Sequence, residues 1–192
     1  MKNKFYINHK KEINSFIYNA INEDLNNIDH SSQATLSDKL SGKAVLIIKE
    51  NCIIAGLELA EIIFKKYDNT VKFKSFFKDG DKIKAGTKGF VVEGNTHSIL
   101  AMERLVLNCI QRMSGIASLT NRYKKIISKT NCKLLDTRKT TPNFRYPEKW
   151  AVLIGGGYNH RMGLYDALMI KDNHIDFCGG INLVLDKTKK YL

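Results

Sequence analysis

No apolar run in this 192-residue chain approaches the ~18 residues that a membrane-spanning helix needs. The amino terminus, MKNKFYINHKKEIN, also lacks the apolar core of a secretory signal, which points to a cytoplasmic protein. Cysteine is sparse: Cys52, Cys109, Cys132 and Cys178 are widely spaced and form no C-x-x-C pair. That spacing argues against a zinc site or a disulfide framework and favours free, buried thiols in a reducing compartment. Acidic charge is also short, with 19 Asp and Glu against 31 Lys and Arg, for a net charge of +12. Such a balance suits nucleic acid or a small, highly anionic substrate. The chain shows no helix-turn-helix or zinc pattern and no basic stripe interleaved with aromatics, so a nucleic-acid module is the weaker reading.

What is present is enough apolar residue (43%) for a real core, with an ordinary 26% of charge. Ile13, Phe16, Ile17, Ala20, Ile21 and Leu25 recur at helical spacing, so residues 1–30 read as helix. The stretch NNIDHSSQATLSDKLSG reads as a long polar connection, and KAVLIIKENCIIAG as a β-hairpin turning at Lys49–Asn51. Gly56 opens the helix LELAEIIFKKY, and TVKFKSFF and KGFVVEG are strands separated by Asp-Gly and Ala-Gly turns. This first part is an α+β unit with a small, mostly antiparallel sheet.

From His97 the pattern changes. SILAMERLVLNCIQRM is apolar nearly all round and reads as a covered helix, interrupted at Ser114–Gly115 and resumed in ASLTNRYKKIIS. Strand CKLLDT, helix PEKWAVLI, strand DALMIK and helix INLVLDKTKKY then alternate, which predicts parallel strands with helical crossovers. The domain division falls at 1–107 and 108–192. Two such strands cannot close a barrel, so by pattern the second domain is unfinished.

Ligands of parallel α/β folds bind beyond the carboxyl ends of the strands. Arg138, Lys139 and Thr140 follow CKLLDT, Lys171 and His174 flank the end of DALMIK, and Asn159, His160 and Arg161 leave a glycine run. Arginine suits carboxylates bidentately and lysine suits phosphate as a point charge. The mixture therefore fits a small polyanion bearing both groups, whereas either basic loop taken alone also fits a solvated surface. The glycine run Gly155–Gly157 reads equally as a helix terminus with no ligand.

Four segments carry a resemblance: AGLELAEIIF, MERLVLNCIQRMSGIAS, DTRKTTPNFR and EKWAVLIGGGYNHRMGLYDALMIKDNHI. In this order they closely resemble the quinolinate phosphoribosyltransferases, the carboxylating nicotinate-nucleotide pyrophosphorylases. The match extends from about Glu23 to His174. The resemblance implies an α+β sandwich domain followed by an α/β barrel, here cut short. It implies that quinolinate and phosphoribosyl pyrophosphate give nicotinate mononucleotide, pyrophosphate and carbon dioxide, with Mg2+ accompanying the pyrophosphate. By resemblance Arg138 and Arg161 hold the quinolinate carboxylates with His160 beside them, and Lys139, Thr140 and Lys171 contact the substrates. Arg104 would reach the neighbouring subunit's site, making a homodimer the expected assembly. A related pyrophosphorylase with another acceptor is the alternative.

The chain departs from the family pattern at three points. Asn26 and Ile28 stand where glycines are usual, as does Asn143 in TTPNFR; asparagine accepts a left-handed backbone but β-branched Ile28 does not. The family's later strands, with acids for ribose and magnesium and a glycine-rich phosphate loop, have no counterpart here. The chain is accordingly expected to be a fragment with impaired turnover, containing no protein ligand for the metal.

Overall fold

The computed structural model describes residues 4–192. The chain separates into two compact units, the first ending at His160 and the second spanning Arg161–Leu192.

The first unit begins with helices α1 (Lys4–Asn8) and α2 (Lys10–Leu25), the latter burying Ile13 and Ile17. Helix α2 closes on Asn26, whose φ of 39° is left-handed, and Asn27 follows at 75°. The two asparagines thus take the strained backbone that a β-branched residue resists, and Ile28 is not among the positive-φ residues. The stretch expected to be a plain connection contains helix α3 (His30–Thr35). Its cap explains the correction: Asp29 accepts from the Ser32 amide (3.1 Å) and the Ser32 hydroxyl (2.6 Å).

Strands β1 (Ser41–Ile47), β5 (Lys88–Asn95) and β3 (Lys72–Ser75) form one antiparallel sheet in the order β1-β5-β3, with Val91 opposite both Val45 and Lys74. Strand β2 (Cys52–Ile53) pairs with β4 (Lys82–Ile83). The expected β1–β2 hairpin does not form. After Ile48 the chain leaves the sheet, and its backbone bonds to a helix instead: the Ile53 amide donates to Ser118 Oγ (2.9 Å) and the Ala55 amide to Ser114 Oγ (3.0 Å).

Helix α4 (Leu57–Tyr67) starts at Gly56, whose φ is 101° and where an added Cβ would lie 3.4 Å from the Ile110 backbone. The Asp79 carboxylate caps it from a distant loop, accepting from the Leu57 (2.8 Å) and Glu58 (3.3 Å) amides; its burial pushes the carboxyl up from the usual range. Leu59, Ala60, Ile63 and Phe64 turn inward, and Phe64, Phe73 and Phe90 cluster where α4 meets the sheet.

Helix α5 (Thr96–Ile126) is continuous over 31 residues, so Ser114–Gly115 does not interrupt it and it runs through the expected division at 107/108. A glycine inside a helix costs only about 1 kcal/mol relative to alanine. Against that, the Ser114 hydroxyl both accepts from the Ala55 amide and donates to its carbonyl (3.2 Å), anchoring the helix at this point. Helix α6 (Arg145–Ile154) packs on α5. The glycine run after it is a packing requirement: an added Cβ at Gly155 would sit 2.5 Å from the Ala117 carbonyl, and at Gly157 2.8 Å from Val152.

The two parallel strands of the sequence reading are not built as strands. The only parallel pairing among the described residues is a single bridge between Leu135 and Tyr158, and DALMIK is irregular. Strand geometry needs a neighbour to take its amides and carbonyls, and around residues 166–171 none is present. The second unit instead folds a loop around Asp166, whose carboxylate accepts from the Met162 (2.6 Å) and Gly163 (2.9 Å) amides. Helices α7 (Asp172–Cys178) and α8 (Ile181–Tyr191) follow. No helix among the described residues is long and apolar enough to cross a membrane.

Candidate functional site

The bridge at Leu135 delivers Asp136 beside α6. There the Asp136 carboxylate pairs with Lys149 Nζ and accepts from Asn159 Nδ2 (2.6 Å) and the His160 amide (2.9 Å). Lys149 is fully buried on α6, and its ammonium also donates to the His160 carbonyl (3.2 Å). Both backbone polar groups of His160 are therefore held by the two members of one buried ion pair. Asn159 Nδ2 closes the arrangement on the Lys149 carbonyl (2.8 Å).

The following loop carries the cations. Lys139 is exposed, with its amide on Thr137 Oγ1 (3.0 Å). Arg138 is half-buried, and its Nε is buried without an acceptor. Neither enters an ion pair among the described residues. The two threonines after them are held by α6: Thr140 Oγ1 accepts from Arg145 Nε (3.1 Å), and the Thr141 hydroxyl donates to Glu148 Oε1 (2.8 Å). The Glu148 carboxylate also accepts from Arg112 Nε (2.9 Å), Arg112 Nη2 (2.8 Å) and the Thr141 amide (3.3 Å). Asn143, at φ 61°, completes the turn in the left-handed region, as expected where the family has glycine.

Arg138, Lys139 and Thr140 thus share one loop, and His160 is tied to its base through Asp136. Arg161 and Lys171 belong to the second unit. Arg161 Nη1 donates to the Ala167 carbonyl (2.9 Å), and exposed Lys171 precedes α7 with its amide on His174 Nδ1 (3.1 Å). Arg161 and His174, with Cys178, Lys187 and Thr188, border a cleft of about 450 Å³ within that unit. Arg104 is exposed on α5 and forms no ion pair with the described residues, so the Glu103 partner that its helix offers is not used.

A larger cavity of about 840 Å³ lies elsewhere, lined by Leu46, Ile48, Phe90, Ile99, Val106 and Ile110. Apart from Lys49, its charged lining residues are Glu50 and Glu103, which does not favour a polyanion. The described residues gather no cluster of three His, Cys, Asp or Glu side chains able to hold a metal. All four cysteines are free; burial pushes the Cys109 thiol up to about 12, while Cys132 is exposed, contrary to its apolar sequence setting.

Sequence reasoning missed Asp136, Lys149, Glu148, Arg112 and Arg145. The signal for Lys149 was available: it stands between Pro147 and Trp150–Ala151, all buried on α6, where a charge needs a partner.

Comparison with known proteins agrees with this architecture. Residues 29–114 match the family model "Quinolinate phosphoribosyl transferase, N-terminal domain", and residues 116–192 match the C-terminal domain of the same family. A quinolinate phosphoribosyltransferase (decarboxylating) 1b of Nicotiana tabacum is 44% identical over 182 residues, covering 94% of this chain and 51% of that protein. The crystal structure of NadC from Streptococcus pyogenes superposes with a TM-score of 0.85 at 39% identity, covering 94% of this chain and 64% of that one. The nicotinate-nucleotide pyrophosphorylase of Ehrlichia chaffeensis gives 0.87 at 35% identity, covering 100% and 67%. The chain spans about half the length of the tobacco relative. With an α/β architecture shared at these identities and both domain models matched in order, the chain belongs to the quinolinate phosphoribosyl transferase family.

Proposed function

We propose that this chain carries the quinolinate-binding portion of a phosphoribosyltransferase that makes nicotinate mononucleotide, pyrophosphate and carbon dioxide from quinolinate and phosphoribosyl pyrophosphate. The observation that carries the reading is Arg138: its Nε is buried with no acceptor, beside Lys139, which also lacks a carboxylate. A buried donor left unpaired is costly, and an incoming carboxylate relieves that cost. Arg112 and Lys149, by contrast, are each matched to an acid.

In this reading Arg138 and Arg161 take the two carboxylates, with His160 beside them, and Lys139, Thr140 and Lys171 contact the substrates, the lysines chiefly through phosphate groups. Loss of pyrophosphate leaves an oxocarbenium-like ribose, so positioning and charge stabilisation dominate over covalent chemistry. Once the ring nitrogen is ribosylated it is cationic, and it stabilises the ring carbanion left by the departing carboxylate until a proton replaces it. Magnesium arrives with phosphoribosyl pyrophosphate as part of that substrate. We further assign Arg104 to a partner subunit's site in a homodimer, a role supported by its exposure on α5 without an ion pair. A cytoplasmic setting is supported by the four free thiols; nucleic acid and membrane are not partners in this reading.

Calorimetric titration tests it. The chain should bind quinolinate and its analogue phthalate, and Arg138→Ala should weaken both about 10- to 100-fold, the worth of a charge-assisted hydrogen bond or two. Duplex DNA should bind weakly and lose affinity steeply with salt. Tight, quinolinate-insensitive DNA binding at physiological salt would overturn the enzyme reading.

A further inference from the structure

We propose that Glu148 is a positioning residue that sets the path of the Arg138–Thr141 loop; this rests on the reading of that loop as the anion-binding element. The Glu148 side chain is only 7% exposed, so its charge is tolerable only with its lone pairs occupied. They are occupied by the Arg112 guanidinium, the Thr141 amide and the Thr141 hydroxyl. Half of that coordination therefore comes from one residue of the loop.

Arg145 and Glu148 stand three apart on α6 and so share a face. Arg145 takes Thr140 and Glu148 takes Thr141, which fixes two successive loop residues on one helix. The two residues immediately before, Arg138 and Lys139, then have a defined backbone exit and no acid of their own. Arg112, through Nε and Nη2, converges with the Thr141 hydroxyl on Oε1, while Oε2 takes the Thr141 amide, so both carboxylate oxygens are tied to the loop at Thr141. The arrangement is a fixed acid serving the backbone, next to free cations serving the ligand.

The test compares Glu148→Gln, Thr141→Val, Thr141→Ser and the control Arg138→Ala. Thr141 is exposed, so its variants should fold even if the Glu148 variant is unstable. Phthalate affinity is measured by calorimetry, amide hydrogen exchange of residues 138–141 without ligand, and overall stability by urea unfolding. The expected result is a loss of affinity of tenfold or more in Thr141→Val, with faster exchange at 138–141, a modestly lower urea midpoint from the hydrogen bond lost to buried Glu148, and near-parental behaviour in Thr141→Ser. Glu148→Gln, if folded, should follow Thr141→Val. If Thr141→Val binds phthalate within twofold of the parent while Arg138→Ala is weakened, the positioning role is refuted and the site reading stands. If the parent does not bind, or Arg138→Ala binds like the parent, the site reading fails and takes the positioning role with it.

Discussion

Breaking the Asp136–Lys149 pair should be among the most damaging single changes available in this chain. Lys149 is 0% and Asp136 7% exposed at the side chain, so neither charge can be rescued by water. Removing one member of a buried pair typically costs about 3–5 kcal/mol, against a total stability of about 5–15 kcal/mol. The two members are not equivalent. Lys149→Met leaves the carboxylate with donors from Asn159 and the His160 amide, which places the loss near the lower figure. Asp136→Asn leaves a three-donor ammonium with the His160 carbonyl and a neutral amide, which places it near the upper. With a urea dependence of about 2 kcal/mol per M, the midpoint should fall by roughly 1.5–2.5 M. Trp150, the sole tryptophan and 1% exposed, adjoins the change and reports unfolding by its emission. The double variant should be more stable than the sum of the singles by at least ~2 kcal/mol, because no lone charge then remains buried. Single-variant losses below ~1 kcal/mol, or strict additivity, would refute the account of this pair.

Three further outcomes are expected. Asp68 is held below the usual carboxylate range by hydrogen bonds from the Thr70 and Ser98 hydroxyls, so its stabilisation is present above the unfolded value of about 3.9 and lost as pH falls through the lower folded value. The urea-midpoint advantage of the parent over Asp68→Asn should therefore exist at pH 6 and vanish in strong acid; an advantage independent of pH would contradict this. In native thiol labelling, exposed Cys132 should react first and Cys109, with its thiol pushed up to about 12, only on unfolding; early Cys109 modification detected by mass spectrometry would show that the core around it opens. Gly155→Ala should destabilise by about 1–3 kcal/mol or more, since the new methyl meets the Ala117 backbone; a calorimetric melting point equal to the parent's would rule out that contact.

Signals confined to neighbouring residues were legible in the sequence. Gly56 before an apolar helical stripe marked α4, and alternation with turn glycines marked β3 and β5. Helix α3 was hidden because its only cue, Asp29 three residues before Ser32, lies in a stretch with no apolar period. The β1–β2 hairpin was misread because the Ile53 and Ala55 amides bond to serines some sixty residues later, information that no local window contains. Gly115 looked like an interruption because propensity is local, whereas the helix is held by the tertiary contact at Ser114. For the site, the motifs pointed to the free cations Arg138 and Lys139. Residue type does not distinguish them from Arg112 and Lys149, which carry the same charges but are already matched to acids; burial and geometry alone separate the two sets.

The two family models meet at residues 114–116, in the middle of α5. A boundary drawn there is a bookkeeping line and not a joint. Bending at it would rupture successive i→i−4 hydrogen bonds together with the Ser114 grip on Ala55, so twist applied to one half of the helix passes to the other as through a shaft. A protease cut or cloning junction at this seam would therefore give each half an amphipathic stump with a bare apolar side. Dissecting the chain by its sequence families would make two sticky pieces, and the workable scissor point lies in the turn after this helix, since β5 runs into its start without one.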